Sequence, residues 1–155
     1  MTNHQLTNEK EDAVIADALR ILESRIRQRG PELTTMENIR GYLLLRYALL
    51  DTEHFGCIFL DAGRAVIAHK ILFHGTVNYC AVFPRQIAQE ALLHNASYIV
   101  AVHNHPAHGE EPTVSDVDMT RSLSDILRPL DIVLLDHMIV AASSVVSMRA
   151  KGYVY

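Results

Sequence analysis

Apolar residues recur at helical spacing over two N-terminal stretches and then give way to short, dense apolar runs. Over residues 10–28, Val14, Ile15, Ala18, Leu19, Ile21, Leu22 and Ile26 fall three and four apart, and Gly30-Pro31 predicts the end of that helix. Thr34-x-x-Glu37 has the form of a capping box and opens a second predicted helix through about Leu49. Residues 55–60 and 65–73 read as strands joined at Asp61-Ala62-Gly63-Arg64, a turn in which glycine can take positive φ, so a hairpin is predicted. Pro84 suits the first turn of a helix that carries Ile87, Ala88, Ala91 and Leu92 and stops near Asn95. Tyr98-Ile99-Val100-Ala101-Val102 is a continuous, largely β-branched run, the pattern of a buried strand, and Pro106 cannot continue its ladder. Val117, Met119, Leu123, Ile126, Leu127 and Leu130 predict a further helix after Ser115, and residues 132–142 and 145–149 predict two closing strands. This order predicts an α/β fold, a mixed sheet flanked by helices, with an N-terminal helical extension over 1–50 and the chemistry-bearing domain over 51–155.

The segment that carries chemistry lies at the end of the 98–102 run. Side chains alternate faces along a strand, so His103 and His105 point to one side and Asn104 to the other. Ser115 and Asp118 follow at the start of the next predicted helix. Catalytic zinc typically takes three protein ligands and leaves a position for water, and His103, His105 and Asp118 would supply those three. Each part also has a plainer reading. Ser115-x-x-Asp118 has the form of a helix capping box, and a His-x-His pair at a strand end is often only a polar rim. The joint pattern is far more specific than its parts.

With these residues in place, the chain resembles the RadC-like branch of the JAMM (MPN-type) metalloprotease domains. Their pattern is a glutamate, His-x-His, seven residues, then Ser-x-x-Asp. Here Glu53, His103-Asn104-His105 and Ser115-Asp116-Val117-Asp118 match it, with Gly75-Thr76, Phe83-Pro84-Arg85, His103-Asn104-His105-Pro106 and Leu135-Asp136-His137 as further matching text. The resemblance covers roughly residues 45 to 152 and implies a deaminase-like JAB/MPN fold. It implies one zinc ion per chain held by His103, His105 and Asp118, with Glu53 as general base and Ser115 as donor to a developing oxyanion. It also implies amide hydrolysis in a protein or peptide substrate, by a metallopeptidase or isopeptidase. Asp136-His137, from a neighbouring strand, would support the site from behind. On this alignment nine residues separate His105 from Ser115 where the family has seven, which predicts a two-residue insertion in Ala107-His108-Gly109-Glu110-Glu111, over the metal. Short chains of this form resemble RadC-like proteins carried on prophages, which points to a bacterial origin.

Composition narrows the alternatives. The chain has 155 residues, 49% of them hydrophobic, enough for one sizeable core. Cys57 and Cys80 read as reduced core thiols. The absence of glutamate two residues after His103 and of a Pro-Cys-x-x-Cys argues against a zinc deaminase. His54, His69, His74 and His94 have no motif around them and read as surface or satisfied core residues. Full-length RadC proteins, traditionally labelled DNA repair proteins, carry a helix-hairpin-helix region, and no Gly-x-Gly hairpin of that kind occurs in residues 7–50. A formal net charge of −4 gives no electrostatic footprint for phosphates, so direct nucleic-acid binding is not predicted. No apolar run approaches the roughly 20 residues that span a bilayer, and Met1-Thr2-Asn3-His4-Gln5 lacks a signal-peptide core, so a cytoplasmic protein without membrane attachment is expected. A non-catalytic metal-binding interaction module and a metal-dependent nuclease are the competing readings. Glu53 favours a hydrolase over the first, and the acidity disfavours the second.

Overall fold

The computed structural model describes residues 3–27, 36–107 and 109–154. Two helices, α1 (Asn3–Arg27) and α2 (Met36–Tyr47), precede a hairpin of β1 (His54–Leu60) and β2 (Val66–His74). Then follow α3 (Pro84–Leu93), β3 (Tyr98–Asn104), α4 (Val114–Leu127), a 3-10 turn (Arg128–Leu130), β4 (Val133–Val140) and β5 (Val145–Ser147). The predicted elements are present in the predicted order. α1 starts earlier than the 10–28 pattern, because the polar residues upstream contain no glycine or proline to stop it. The predicted stop at Gly30-Pro31 and the capping residue Thr34 lie outside the described residues.

The five strands form one mixed sheet in the order β2-β1-β3-β4-β5. β1 pairs antiparallel with both β2 and β3, β3 runs parallel to β4, and β5 returns antiparallel along β4. Helices cover both faces. Phe55, Cys57, Phe59, Ile99 and Ala101 pack against Ile87, Ala88 and Ala91 of α3 and Leu123 and Leu127 of α4. On the opposite face Ile58, Leu60, Val100, Val102, Met138 and Val140 meet Ile39, Tyr42, Leu43 and Tyr47 of α2. Burial on both faces explains why β3 reads as unbroken apolar sequence. It also sets the orientation of its last residues, since His103 continues the Ile99–Ala101 face toward α4 and Asn104 the Val100–Val102 face toward α2.

His69 ties α2 to the sheet. Its Nδ1 lies 2.7 Å from the Tyr42 hydroxyl and its Nε2 2.9 Å from the Tyr47 hydroxyl. Burial, then the Arg46 charge, pushes its pKa down to about 4, so the ring stays neutral and donates to one tyrosine while accepting from the other. It is a partly buried residue with both ring nitrogens satisfied. Gly56 makes room for this bridge: a Cβ there would lie 2.2 Å from the Tyr47 hydroxyl and 2.5 Å from the Lys70 carbonyl. Gly56→Ala is therefore expected to cost roughly 1–3 kcal/mol, the usual range for overpacking. Chemical denaturation reads this as a lowered midpoint, and an unchanged midpoint would show that Tyr47 moves freely.

Candidate metal centre

β3 delivers both histidines to one point, as their spacing predicts. His103 and His105 are each 4% exposed, and their Nε2 atoms lie 2.8 Å apart. The chain keeps the register of β4 one residue beyond the strand, with the His105 amide donating to the Val140 carbonyl at 2.9 Å, and Pro106 then ends the pairing.

The third member of the cluster is Asp116, not Asp118. Asp116 Oδ1 lies 3.1 Å from His103 Nε2, and Oδ2 lies 3.3 Å from His105 Nε2. The ligand atoms of His103, His105 and Asp116 all fall within 4.8 Å of one another. The Asp118 side chain is 69% exposed and faces Arg121 at 3.9 Å. The reason is the point at which α4 begins. Thr113 is its N-cap, so Asp116 occupies N3, and two further residues carry Asp118 about 200° round the helix to the solvent side. The capping box belongs to this pair as well. Thr113 Oγ1 accepts from the Asp116 amide at 3.2 Å and donates to Asp116 Oδ2 at 2.7 Å, and the Thr113 amide donates to Oδ2 at 2.7 Å. One carboxylate thus caps the helix and faces the imidazoles, with the helix dipole favouring its charge.

This placement removes the expected insertion. Seven residues, Pro106 to Pro112, separate His105 from Thr113, and Thr113-x-x-Asp116 takes the place given above to Ser115-x-x-Asp118. Ser115, in the first turn of α4, is exposed and lines the cavity beside the cluster. The loop carboxylates turn elsewhere: Glu110 accepts from the Ser144 hydroxyl at 2.6 Å, and Glu111 pairs with Lys151 at 2.6 Å. His108 lies outside the described residues.

Glu53 reaches the site from the segment before β1. It is 8% exposed and lines a cavity of about 250 Å³ together with Phe55, Cys80, His103, His105 and Asp116. Its backbone is held from two sides. The Glu53 amide donates to the Thr76 carbonyl and its own carbonyl accepts from the Gly75 amide, both at 2.7 Å. Gly75 is needed for the turn that follows, in which the Thr76 amide donates to the Tyr79 carbonyl, because a Cβ at position 75 would collide with that carbonyl. From behind, Asn104 accepts from the His54 amide at 2.7 Å and donates to the Thr52 carbonyl at 2.9 Å. The middle residue of His-Asn-His therefore pins the segment that carries Glu53. The sequence pattern gives Asn104 a face but no role and singles out neither Thr113 nor Asp116, for which the seven-residue spacing is the available signal.

The donor set suits a metal ion. A tetrahedral zinc site with bonds of about 2.0–2.1 Å places its ligand atoms about 3.3 Å apart, near the spacings found here. His105 Nδ1 lies 2.9 Å from the Gly109 carbonyl and must donate to it, so in the neutral ring Nε2 is a lone pair facing Asp116. Burial pushes the Asp116 carboxyl up, but hydrogen bonds from His103 and His105, made when a ring takes a second proton on Nε2, outweigh it and hold it well below the usual carboxylate range. Burial lowers the His105 pKa, while the hydrogen bonds to Asp116 and to the Gly109 carbonyl raise it further, for a net rise. A proton held more tightly than usual must leave before Nε2 binds a metal. Metal affinity is therefore expected to fall as the pH drops through a value above the ordinary 6.5 or so of histidine. Chelator competition checks this, and an affinity equal at about pH 8 and about pH 6 contradicts it.

Two neighbours stay outside the cluster. His137 is fully buried, and burial, then the charge of His103, holds its pKa well below the ordinary value, so it is a neutral ring behind His103. Asp136 turns away to accept from the Ser147 hydroxyl and the His137 and Arg149 amides. Cys57 is a core thiol, but Cys80 is only half-buried in the cavity wall, where burial and the Glu53 charge keep it protonated. Among the described residues no helix is long and apolar enough to cross a membrane.

Residues 33–153 match the family described as the RadC-like JAB domain. A UPF0758 protein of Azotobacter vinelandii is 40% identical over 141 residues, 91% of this chain and 62% of the relative. One from Stutzerimonas stutzeri is 39% identical over the same shares, and one from Cupriavidus pinatubonensis is 45% identical over 74% of this chain and 50% of its own length. The chain thus spans between half and two thirds of the length of these relatives.

Proposed function

The chain belongs to the RadC-like JAB domain family, and we propose that it is a zinc-dependent hydrolase that cleaves an amide bond in a protein or peptide substrate, a metallopeptidase or isopeptidase. The observation that carries this reading is the meeting of His103, His105 and Asp116 with Glu53 in one cavity. Two imidazoles and a carboxylate form a borderline-soft set that suits zinc better than magnesium or calcium. Zinc held there would polarise a scissile carbonyl and bring the pKa of a water to roughly 7. Glu53 is the general base, taking a proton from the attacking water and returning it to the leaving amine. Asn104 and Gly75-Thr76 hold Glu53 in place for both transfers. Ser115, exposed and lining the cavity, is the donor to the developing oxyanion, whereas the Thr113 hydroxyl is committed to Asp116. Phe55, Val82 and Met119 line the apolar side of the cavity and limit the entry of further water.

The test is to incubate the zinc-loaded protein with isopeptide-linked and linear peptides and with duplex DNA, and to identify products by mass spectrometry. Amide cleavage that stops when zinc is removed is expected. Cleavage of DNA without any amide product, or amide cleavage indifferent to zinc, contradicts the proposal.

A further inference from the structure

A buried polar chain runs away from the cluster and ends at Thr120. His103 Nδ1 lies 2.7 Å from His137 Nε2, and His137 Nδ1 lies 2.6 Å from Thr120 Oγ1. Thr120 is 1% exposed and His137 is fully buried, so water does not substitute for these partners. Thr120 Oγ1 also lies 2.5 Å from the Asp116 carbonyl oxygen.

The proton positions along this chain follow from the two ends. A hydroxyl carries one proton, and a carbonyl oxygen can only accept. Two oxygens so close need that proton between them, so Thr120 donates to Asp116; the Met148 sulfur at 3.6 Å is a far weaker acceptor. Thr120 Oγ1 must then accept from His137, which places the His137 proton on Nδ1 and leaves Nε2 bare. His103 Nδ1 must in turn donate to His137 Nε2. The His103 ring is thereby left with its lone pair on Nε2, the atom that faces His105 and Asp116.

Resting on the reading of His103 as a zinc ligand, we propose that Thr120 and His137 are positioning residues that fix His103 in the tautomer able to bind zinc through Nε2. The same chain joins two of the three ligands. His103 from β3 connects through His137 of β4 to Thr120 of α4, and Thr120 holds the backbone of Asp116 one turn earlier. A single buried hydroxyl therefore bonds both to the ring behind one ligand and to the backbone of another. Outer partners of this kind support metal ligands elsewhere, and losing one typically costs about 10–100-fold in metal affinity.

The experiment compares zinc affinity by chelator competition for the whole chain and for Thr120→Val and Thr120→Ser, with imidazole nitrogen NMR of the wild type. Thr120→Val keeps the shape and removes the hydroxyl, and should weaken zinc binding by about 10–100-fold. Thr120→Ser, which keeps the hydroxyl, should restore most of it, an outcome that loss of packing does not predict. In the zinc-loaded wild type, His103 should bind through Nε2 and carry its proton on Nδ1, a result independent of whether any variant folds. Equal affinity in wild type and Thr120→Val, or a His103 ring protonated on Nε2, overturns the proposal while leaving the zinc site standing. A wild-type chain that binds no zinc removes the site itself and the positioning role with it.

Discussion

Asp116→Asn should leave the chain almost free of zinc, while Asp118→Asn keeps about one zinc per chain. The two residues stand two positions apart on one helix, yet only Asp116 meets the imidazoles, and Asp118 projects into solvent. Asparagine at position 116 keeps an oxygen that can still accept from the Thr113 amide, so the cap of α4 survives in part. The negative charge, and with it an anionic metal ligand, is lost. The drop in affinity should therefore exceed the 10–100-fold or so expected for loss of a supporting partner. Elemental analysis after dialysis against limiting zinc reads the difference directly. If Asp118→Asn loses the metal and Asp116→Asn keeps it, the start of α4 and the whole placement of the cluster are wrong.

Glu53→Gln should separate binding from chemistry. Glu53 lines the cavity with the histidines but is not part of the three-residue cluster, so this variant should retain zinc as well as wild type does. Glutamine cannot take a proton from water. Turnover should fall by about 10²–10⁴-fold, the range that a positioned general base contributes. The variant should therefore hold substrate without cleaving it, and mass spectrometry of what it captures from a cell extract would identify the substrate. Turnover equal to that of wild type would remove Glu53 from the mechanism.

The fold and the two histidines were legible because they rest on local pattern. β3 is an apolar run with alternating faces, so the direction of His103 and His105 followed from counting along it. Asp116 was missed for a reason that is also local. Reading Ser115 as the cap sets the helix two residues late, and that shift turns the chosen carboxylate to the opposite side of the helix. Threonine caps a helix nearly as well as serine, and the seven-residue count to Thr113 favours the earlier start. Other features depend on contacts between distant elements. Asn104 bonding to the segment before β1, and His137 passing between His103 and Thr120, arise only when β1, β3, β4 and α4 are brought together. The start of α1 was hidden because polar residues neither break a helix nor mark one.

The zinc reading rests on His103, His105 and Asp116 as the three protein ligands. X-ray absorption at the zinc edge of protein loaded with one equivalent tests it most directly, because Cys80 stands in the same cavity as a sulfur that could compete. A first shell of nitrogen and oxygen at about 2.0–2.1 Å with the multiple-scattering pattern of two imidazoles is expected. A sulfur scatterer at about 2.3 Å, or a shell containing a single imidazole, would contradict it.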